Sequence, residues 1–180
     1  MQGGAGPQAA AEGAELRVLM VCMGNICRSP TAEGVLRDRL QRAGLQQRVA
    51  VDSAGMLDHH AGEPPDPRAQ RHAALRGYDL SAQRARAVRA EDFSQFQWLL
   101  AMDEDNLSWL QRRAPPGNAA RIELLMPYAR RFAGVQAVPD PYYGSAAGFE
   151  RVLDLVEDAC DGLVVRLQQE LQSGSGGKPY

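Results

Sequence analysis

Leu16-Arg17-Val18-Leu19-Met20-Val21, then Cys22-Met23-Gly24-Asn25-Ile26-Cys27-Arg28-Ser29, then Pro30-Thr31-Ala32-Glu33 read as three pieces of one unit. The apolar run 16–21 has the length and continuity of a buried strand. Pro30 in a first turn with Glu33 soon after marks a helix start. Between them a thiol and a guanidinium stand at the two ends of a five-residue gap. A loop running from a strand into a helix N-terminus offers unpaired amides and the positive end of the helix dipole to whatever it encloses. A phosphate dianion fits that ring.

Working outward, the same alternation repeats along the chain. Strand 49–53 precedes helix 66–76, strand 97–101 precedes helix 104–113, and strand 121–125 leads through a long loop to helix 147–171; the first unit supplies strand 16–21 and helix 30–43. Short apolar strands alternating with amphipathic helices predict an α/β fold: a single three-layer domain with a central four-stranded parallel twisted sheet and helices on both faces. The loop would then lie at the carboxyl ends of the strands, where such sheets bind ligands. The domain is expected over 16–171, with residues 1–15 a disordered extension and 172–180 a flexible tail rich in Ser and Gly.

The residue types in the loop suit phosphoryl chemistry. A thiolate is strongly nucleophilic, and a helix N-terminus beside an Arg favours the ionised thiol, which assigns Cys22 as nucleophile. Arg28 is planar and permanently charged and can hold two phosphoryl oxygens at once. Ser29 can donate to the sulfur, Gly24 leaves room for close approach, and Asn25 tolerates a left-handed backbone. Met23, Gly24, Asn25, Ile26, Cys27 and Ser29 are accordingly the expected phosphate-binding segment. Cys160 shares a helical stripe with Phe149, Val152, Leu153, Val156, Leu163 and Leu167 and reads as core.

Residues 18–33 resemble the signature of the low-molecular-weight protein tyrosine phosphatases. The likeness extends through Asp52-Ser53-Ala54-Gly55, Glu63-Pro64-Pro65-Asp66-Pro67-Arg68-Ala69, Leu100-Ala101-Met102-Asp103-Glu104-Asp105-Asn106 and Asp140-Pro141-Tyr142-Tyr143-Gly144, in the family's order. The resemblance implies a metal-independent phosphomonoesterase without a cofactor that hydrolyses phosphotyrosine through a phosphocysteine on Cys22. Arg28 would hold the phosphoryl group, and Asp140 would be the general acid and base. Physically, a carboxyl between Pro139 and Pro141 sits on a stiff loop, though Asp-Pro is by itself a turn signal. The family also implies that Met23, Tyr142 and Tyr143 flank the substrate ring, and that such tyrosines are sometimes phosphorylated themselves.

Two positions depart from the family pattern. His59, next to His60, stands where a Trp or Tyr is usual, which predicts weaker stacking and a more open rim. Gln83 stands where a His commonly helps hold the loop Asn; the expected support network is Asn25, Ser53 and Gln83. Cys27 leaves two readings open, a redox partner forming a disulfide with an oxidised Cys22 or simple packing behind the loop. His72 reads as a solvated position on a polar helix face. Arg84, Arg86 and Arg89 read either as a solvated face or as a patch that steers acidic phosphoproteins.

Composition narrows the classes. The 180 residues carry a net charge of −2, which argues against nucleic acid as a bulk partner. Lys178 is the single lysine, so a Gly-Lys-Ser/Thr nucleotide loop and Schiff-base chemistry are absent. No metal-ligand spacing occurs. Three cysteines are too few for a disulfide framework, and a reactive thiol suits the cytoplasm. Residues 1–15 have neither a signal-peptide nor an anchor pattern, so no membrane partner is expected. The expected partner is a tyrosine-phosphorylated protein, a tyrosine kinase among the candidates, met by a monomer. Three rivals remain. A thioredoxin-coupled arsenate reductase needs relay thiols, for which a packed Cys160 is poorly placed. A protein arginine phosphatase would carry Thr where Ile26 stands. A catalytically dead phosphotyrosine reader would be expected to have lost Cys22, Arg28 or Asp140.

Overall fold

The computed structural model describes residues 12–175. Four strands, β1 (Leu16–Cys22), β2 (Val49–Gly55), β3 (Trp98–Ala101) and β4 (Arg121–Leu124), form one parallel sheet in the order β2-β1-β3-β4. The helices are α1 (Arg28–Arg42), α2 (Pro67–Leu75), α3 (Asp92–Gln95), α4 (Glu104–Arg113) and α5 (Ala146–Ser175). A single 3-10 turn, Met126–Tyr128, follows β4.

The strand period of two divides β1 between two cores. Val18, Met20 and Cys22 face a core with Leu36 and Leu40 of α1 and Val156, Leu163 and Leu167 of α5. Leu19 and Val21 face another with Leu110 of α4, Phe93 and Phe96. Both faces of β1 are thus covered from Val18 to Cys22, which is why that stretch is a continuous apolar run rather than an alternating one. Cys160 lies in the α1/α5 core, and burial pushes its thiol up.

The predicted architecture is the observed one, and its differences lie at element ends. β2 runs two residues further, to Gly55, because Val88 N and Gly55 N continue its backbone bonding into the segment after Gln83. α1 begins at Arg28 rather than Pro30. The short α3 was not expected; it forms where the Asp92 carboxylate accepts the Arg89 amide, 2.8 Å away. Helix α5 continues through Ser175, past the expected start of a tail at 172. At the other end Glu15 is already tied in, its amide to the Arg48 carbonyl at 2.8 Å and its carboxylate to the Arg48 guanidinium at 2.7 Å. The remaining expectations for 1–11 and 176–180, Lys178 included, lie outside the described residues.

Candidate active site

β1 delivers Cys22 to the carboxyl edge of the sheet, and the chain then turns sharply into α1. Asn25 sits at φ 57°, the left-handed conformation expected of it. The first turn of α1 has no side-chain cap and no acidic residue, so its amides are left for the space in front of the loop. Gly55 at the end of β2 lies directly beneath. A Cβ there would stand 2.8 Å from the Met23 carbonyl and 3.1 Å from the Asn25 amide nitrogen, so only glycine lets the two backbones pass. Met56 N and Leu57 N then donate to the Cys22 and Met23 carbonyls at 2.9 and 3.0 Å.

A chain of side-chain bonds runs from the thiol into the protein. Asn25 Nδ2 donates to Ser29 Oγ and to Ser53 Oγ, each at 2.9 Å. With its oxygen occupied as acceptor, Ser29 has its proton free for the Cys22 sulfur 3.0 Å away. The Ser53 hydroxyl likewise donates to Glu33 Oε1 at 2.8 Å, and Arg37 donates to the other Glu33 oxygen at 2.9 Å. Asn25 Oδ1 accepts the Arg86 amide at 3.0 Å. Ser53 thus stands in one hydrogen-bonded chain with Asn25 and Glu33.

Gln83 is not part of this network. Its Nε2 donates to the Pro30 carbonyl at 3.0 Å, while its Oε1 is buried without a partner. The Arg86 amide fills the acceptor position on Asn25 instead. No side-chain donor is needed on Asn25 Oδ1 when the backbone itself approaches. The Arg86 side chain turns inward between Asp52 (3.0 Å) and Asp92 (2.9 Å), which removes it from any surface patch with Arg84 and Arg89.

Arg28 is 3% exposed. Its Nη1 donates to Asp103 Oδ2 at 2.5 Å and to the Val138 carbonyl at 3.2 Å, and Nη2 stands 3.9 Å from Asp140 Oδ2. Burial opposes its charge, but Cys22, Asp103 and Asp140 outweigh that and hold its pKa above the ordinary value. Asp103 was not assigned by sequence. Its signal was present as Asp103 and Asn106 at the spacing of a capping box, which α4 does form. Asp140, nearly half exposed, accepts the Tyr142 amide at 3.0 Å.

Cys22, Met23, Gly24, Ile26, Cys27, Arg28, His59, Asp140, Tyr142 and Tyr143 line one cavity of about 270 Å³, together with Leu57 and His60. Tyr142 and Tyr143 meet edge to face with centroids 4.9 Å apart, presenting aromatic surface at the mouth. His59 is exposed and lines the cavity. The sequence missed His60, which is held by Glu63 at 2.8 Å with its Cδ2 against Gly24, 3.2 Å from where a Cβ would stand. The glycine therefore makes room for an imidazole as well as for a ligand. Cys27 is buried beside Ala69 and Phe149, and burial, then Asp66, pushes its thiol up to about 12. His72 is not solvated: its ring stacks on Phe149 at 5.6 Å, and Nδ1 meets Glu150 at 2.7 Å.

A parallel sheet whose leading strand carries a thiol into an amide-lined loop, backed by a buried guanidinium and faced by a carboxyl, defines the class of cysteine-centred phosphate-handling domains. Comparison with known proteins names the family. The family model described as low molecular weight phosphotyrosine protein phosphatase matches residues 17–173, and the chain belongs to that family. A low molecular weight protein-tyrosine-phosphatase of Streptomyces coelicolor is 43% identical over 158 residues, 87% of this chain and 96% of that one. The crystal structure of a protein tyrosine phosphatase from Entamoeba histolytica with Hepes in its active site superposes with a TM-score of 0.82 at 37% identity, covering 86% of this chain and 98% of that one. A Drosophila arginine phosphatase structure superposes with a TM-score of 0.79 at 30% identity, covering 84% and 98%.

Proposed function

We propose that this protein hydrolyses phosphotyrosine in proteins, in two steps and without a metal. Cys22 Sγ attacks phosphorus while Asp140 gives its proton to the departing phenolic oxygen, breaking the P–O bond and forming a phosphocysteine. Asp140, now a carboxylate, takes a proton from water as that water attacks the intermediate and restores the thiolate. Arg28 and the loop amides hold the equatorial oxygens throughout. Ser29 stabilises the sulfur whenever it carries charge.

One observation carries the reading. The thiol at the end of β1 and the Asp140 carboxyl, 3.9 Å from the Arg28 guanidinium, face the same cavity beside an aromatic pair. Tyr142, Tyr143, Met23 and Leu57 all line this cavity and offer apolar surface to a flat ring. Ile26 lines the same cavity; an apolar branched side chain there disfavours a guanidinium phosphate and tolerates a phenyl group. Among the described residues no helix is long and apolar enough to cross a membrane. The partner we place at this mouth is a tyrosine-phosphorylated protein, a kinase among the candidates, met by a monomer in the reducing cytoplasm.

The test compares phosphotyrosine and phosphoarginine peptides in the presence of EDTA, with arsenate and thioredoxin as a third arm. Turnover of the phosphotyrosine peptide that EDTA does not affect and Cys22→Ser abolishes is the expected result. Faster turnover of phosphoarginine, or thioredoxin-dependent arsenate reduction, would replace the proposal.

A further inference from the structure

We infer that Arg68 is a positioning residue that sets the acid loop at a fixed distance from the nucleophile loop, joining the two through one guanidinium. The inference rests on the acid role of Asp140 proposed above.

The connection is continuous. The Asp66 amide donates to the Ile26 carbonyl of the nucleophile loop at 2.8 Å. The Asp66 carboxylate caps α2 through the Arg68 amide at 2.8 Å and takes Arg68 Nε and Nη2 at 3.1 and 2.9 Å. That same Nη2 donates to the Tyr142 carbonyl at 3.1 Å, and the Tyr142 amide donates to Asp140 Oδ1 at 3.0 Å. The hydrogen bonds of Arg68 hold the Asp66 carboxyl below the usual carboxylate range, so this link is charged at working pH.

Two aromatic rings also contact the guanidinium. It lies 4.8 Å from the Phe149 centroid and 5.6 Å from that of Tyr142. Phe149 packs on Cys27 and Ala69, with Ile26 at the edge of the cluster, so the pad beneath Arg68 is itself built on the nucleophile loop. The near end of the acid loop is held separately, by the Val138 amide on the Met102 carbonyl at 2.8 Å and by Arg28 on the Val138 carbonyl at 3.2 Å. Arg68 holds the far end.

A lysine has no planar fork of donors to hold the Asp66 carboxylate at two points and the Tyr142 carbonyl as well. The Arg68 side chain is 37% exposed, but Asp66 is only 8% exposed and would lose its counter-charge, so Arg68→Ala should cost stability as well as loosen geometry, whereas Arg68→Lys keeps the charge.

The experiment measures kcat/KM for Arg68→Ala, Arg68→Lys, Asp140→Asn and Arg68→Ala with Asp140→Asn. Two substrates are used: a phosphotyrosine peptide, whose leaving group needs a proton, and dinitrophenyl phosphate, whose leaving group does not. Asp140→Asn should lose about 100-fold on the peptide and little on the activated ester. Arg68→Ala should lose about tenfold on the peptide and less than about twofold on the ester, with Arg68→Lys between wild type and Ala. It should cause no further loss in the Asp140→Asn background, and inhibition by inorganic phosphate should be unchanged. Equal losses on both substrates, or a tenfold loss that persists in the Asp140→Asn background, would overturn the inference. A silent Asp140→Asn would overturn the acid assignment and this inference with it. Should Arg68→Ala not fold, Arg68→Lys must show the same substrate dependence at smaller amplitude, and its absence is equally decisive.

Discussion

Replacing Glu33 by Gln should remove a loss of stability that the wild-type protein undergoes as pH rises. Glu33 is 4% exposed, and burial outweighs the neighbouring Arg37 and the Ser53 hydrogen bond, lifting its carboxyl from an ordinary 4.5 to about 7. The folded value lies above the unfolded one, so between these pH values the native state keeps a proton that the unfolded chain has released. Stability from this group therefore falls as pH rises from about 4.5 to about 7, opposite to the usual carboxylate. With about 1.4 kcal/mol for each tenfold step, the loss between pH 5 and pH 8 is about 2.5 kcal/mol. The amide introduced by Glu33→Gln keeps an acceptor for Ser53, and Arg37, with a 37% exposed side chain, can turn to solvent. Urea unfolding of both proteins at the two pH values isolates the group, because the other titrating residues cancel in the difference. The stability of Glu33→Gln relative to wild type should rise by about 2.5 kcal/mol from pH 5 to pH 8. A difference that stays constant to within about 0.5 kcal/mol would refute the reasoning.

Other changes probe the loop and its surroundings. Asp103→Asn leaves Arg28 buried without its closest counter-charge; it should lower unfolding free energy by about 2 kcal/mol and raise KM for phosphotyrosine several-fold, and an unchanged Tm and KM would contradict the pairing. Gly55→Ala drives a methyl into the backbone of Met23 and Asn25, which should cost about 1–3 kcal/mol in stability and about 100-fold in kcat/KM. Wild-type inhibition by vanadate in that variant would show the loop undisturbed. Peroxide should oxidise Cys22 to a sulfenic acid that condenses with the Cys27 thiol, releasing water and forming a disulfide that dithiothreitol reverses. Recovery should then be complete for wild type and poor for Cys27→Ser, and equal recovery would remove Cys27 from that chemistry.

The parts of this molecule legible in the sequence are those whose signal is local. The apolar run of β1, the Asn at a left-handed turn and the thiol-to-guanidinium spacing each follow from a few consecutive residues, and each stands where it was expected. Gln83 was misread because its role depends on which neighbour reaches Asn25 first, and a backbone amide from Arg86 does so across 61 residues. His72 looked solvated because its helix is polar, yet Phe149 and Glu150 arrive from α5 to cover it. Asp103 carried a visible capping pattern, and only the fold shows that the same carboxylate also serves Arg28. The continuation of α5 through Ser175 overrides the low helix propensity of Ser and Gly, with the packed turns before it carrying the helix on.

The account stands on a covalent bond between Cys22 and phosphorus. Acid quenching of the enzyme during turnover of a phosphotyrosine peptide, followed by digestion and mass spectrometry, should find one phosphoryl group on the peptide that carries Cys22. That group should be absent from Cys22→Ser. A phosphoryl group on another residue, or turnover by Cys22→Ser at the wild-type rate, would contradict the account.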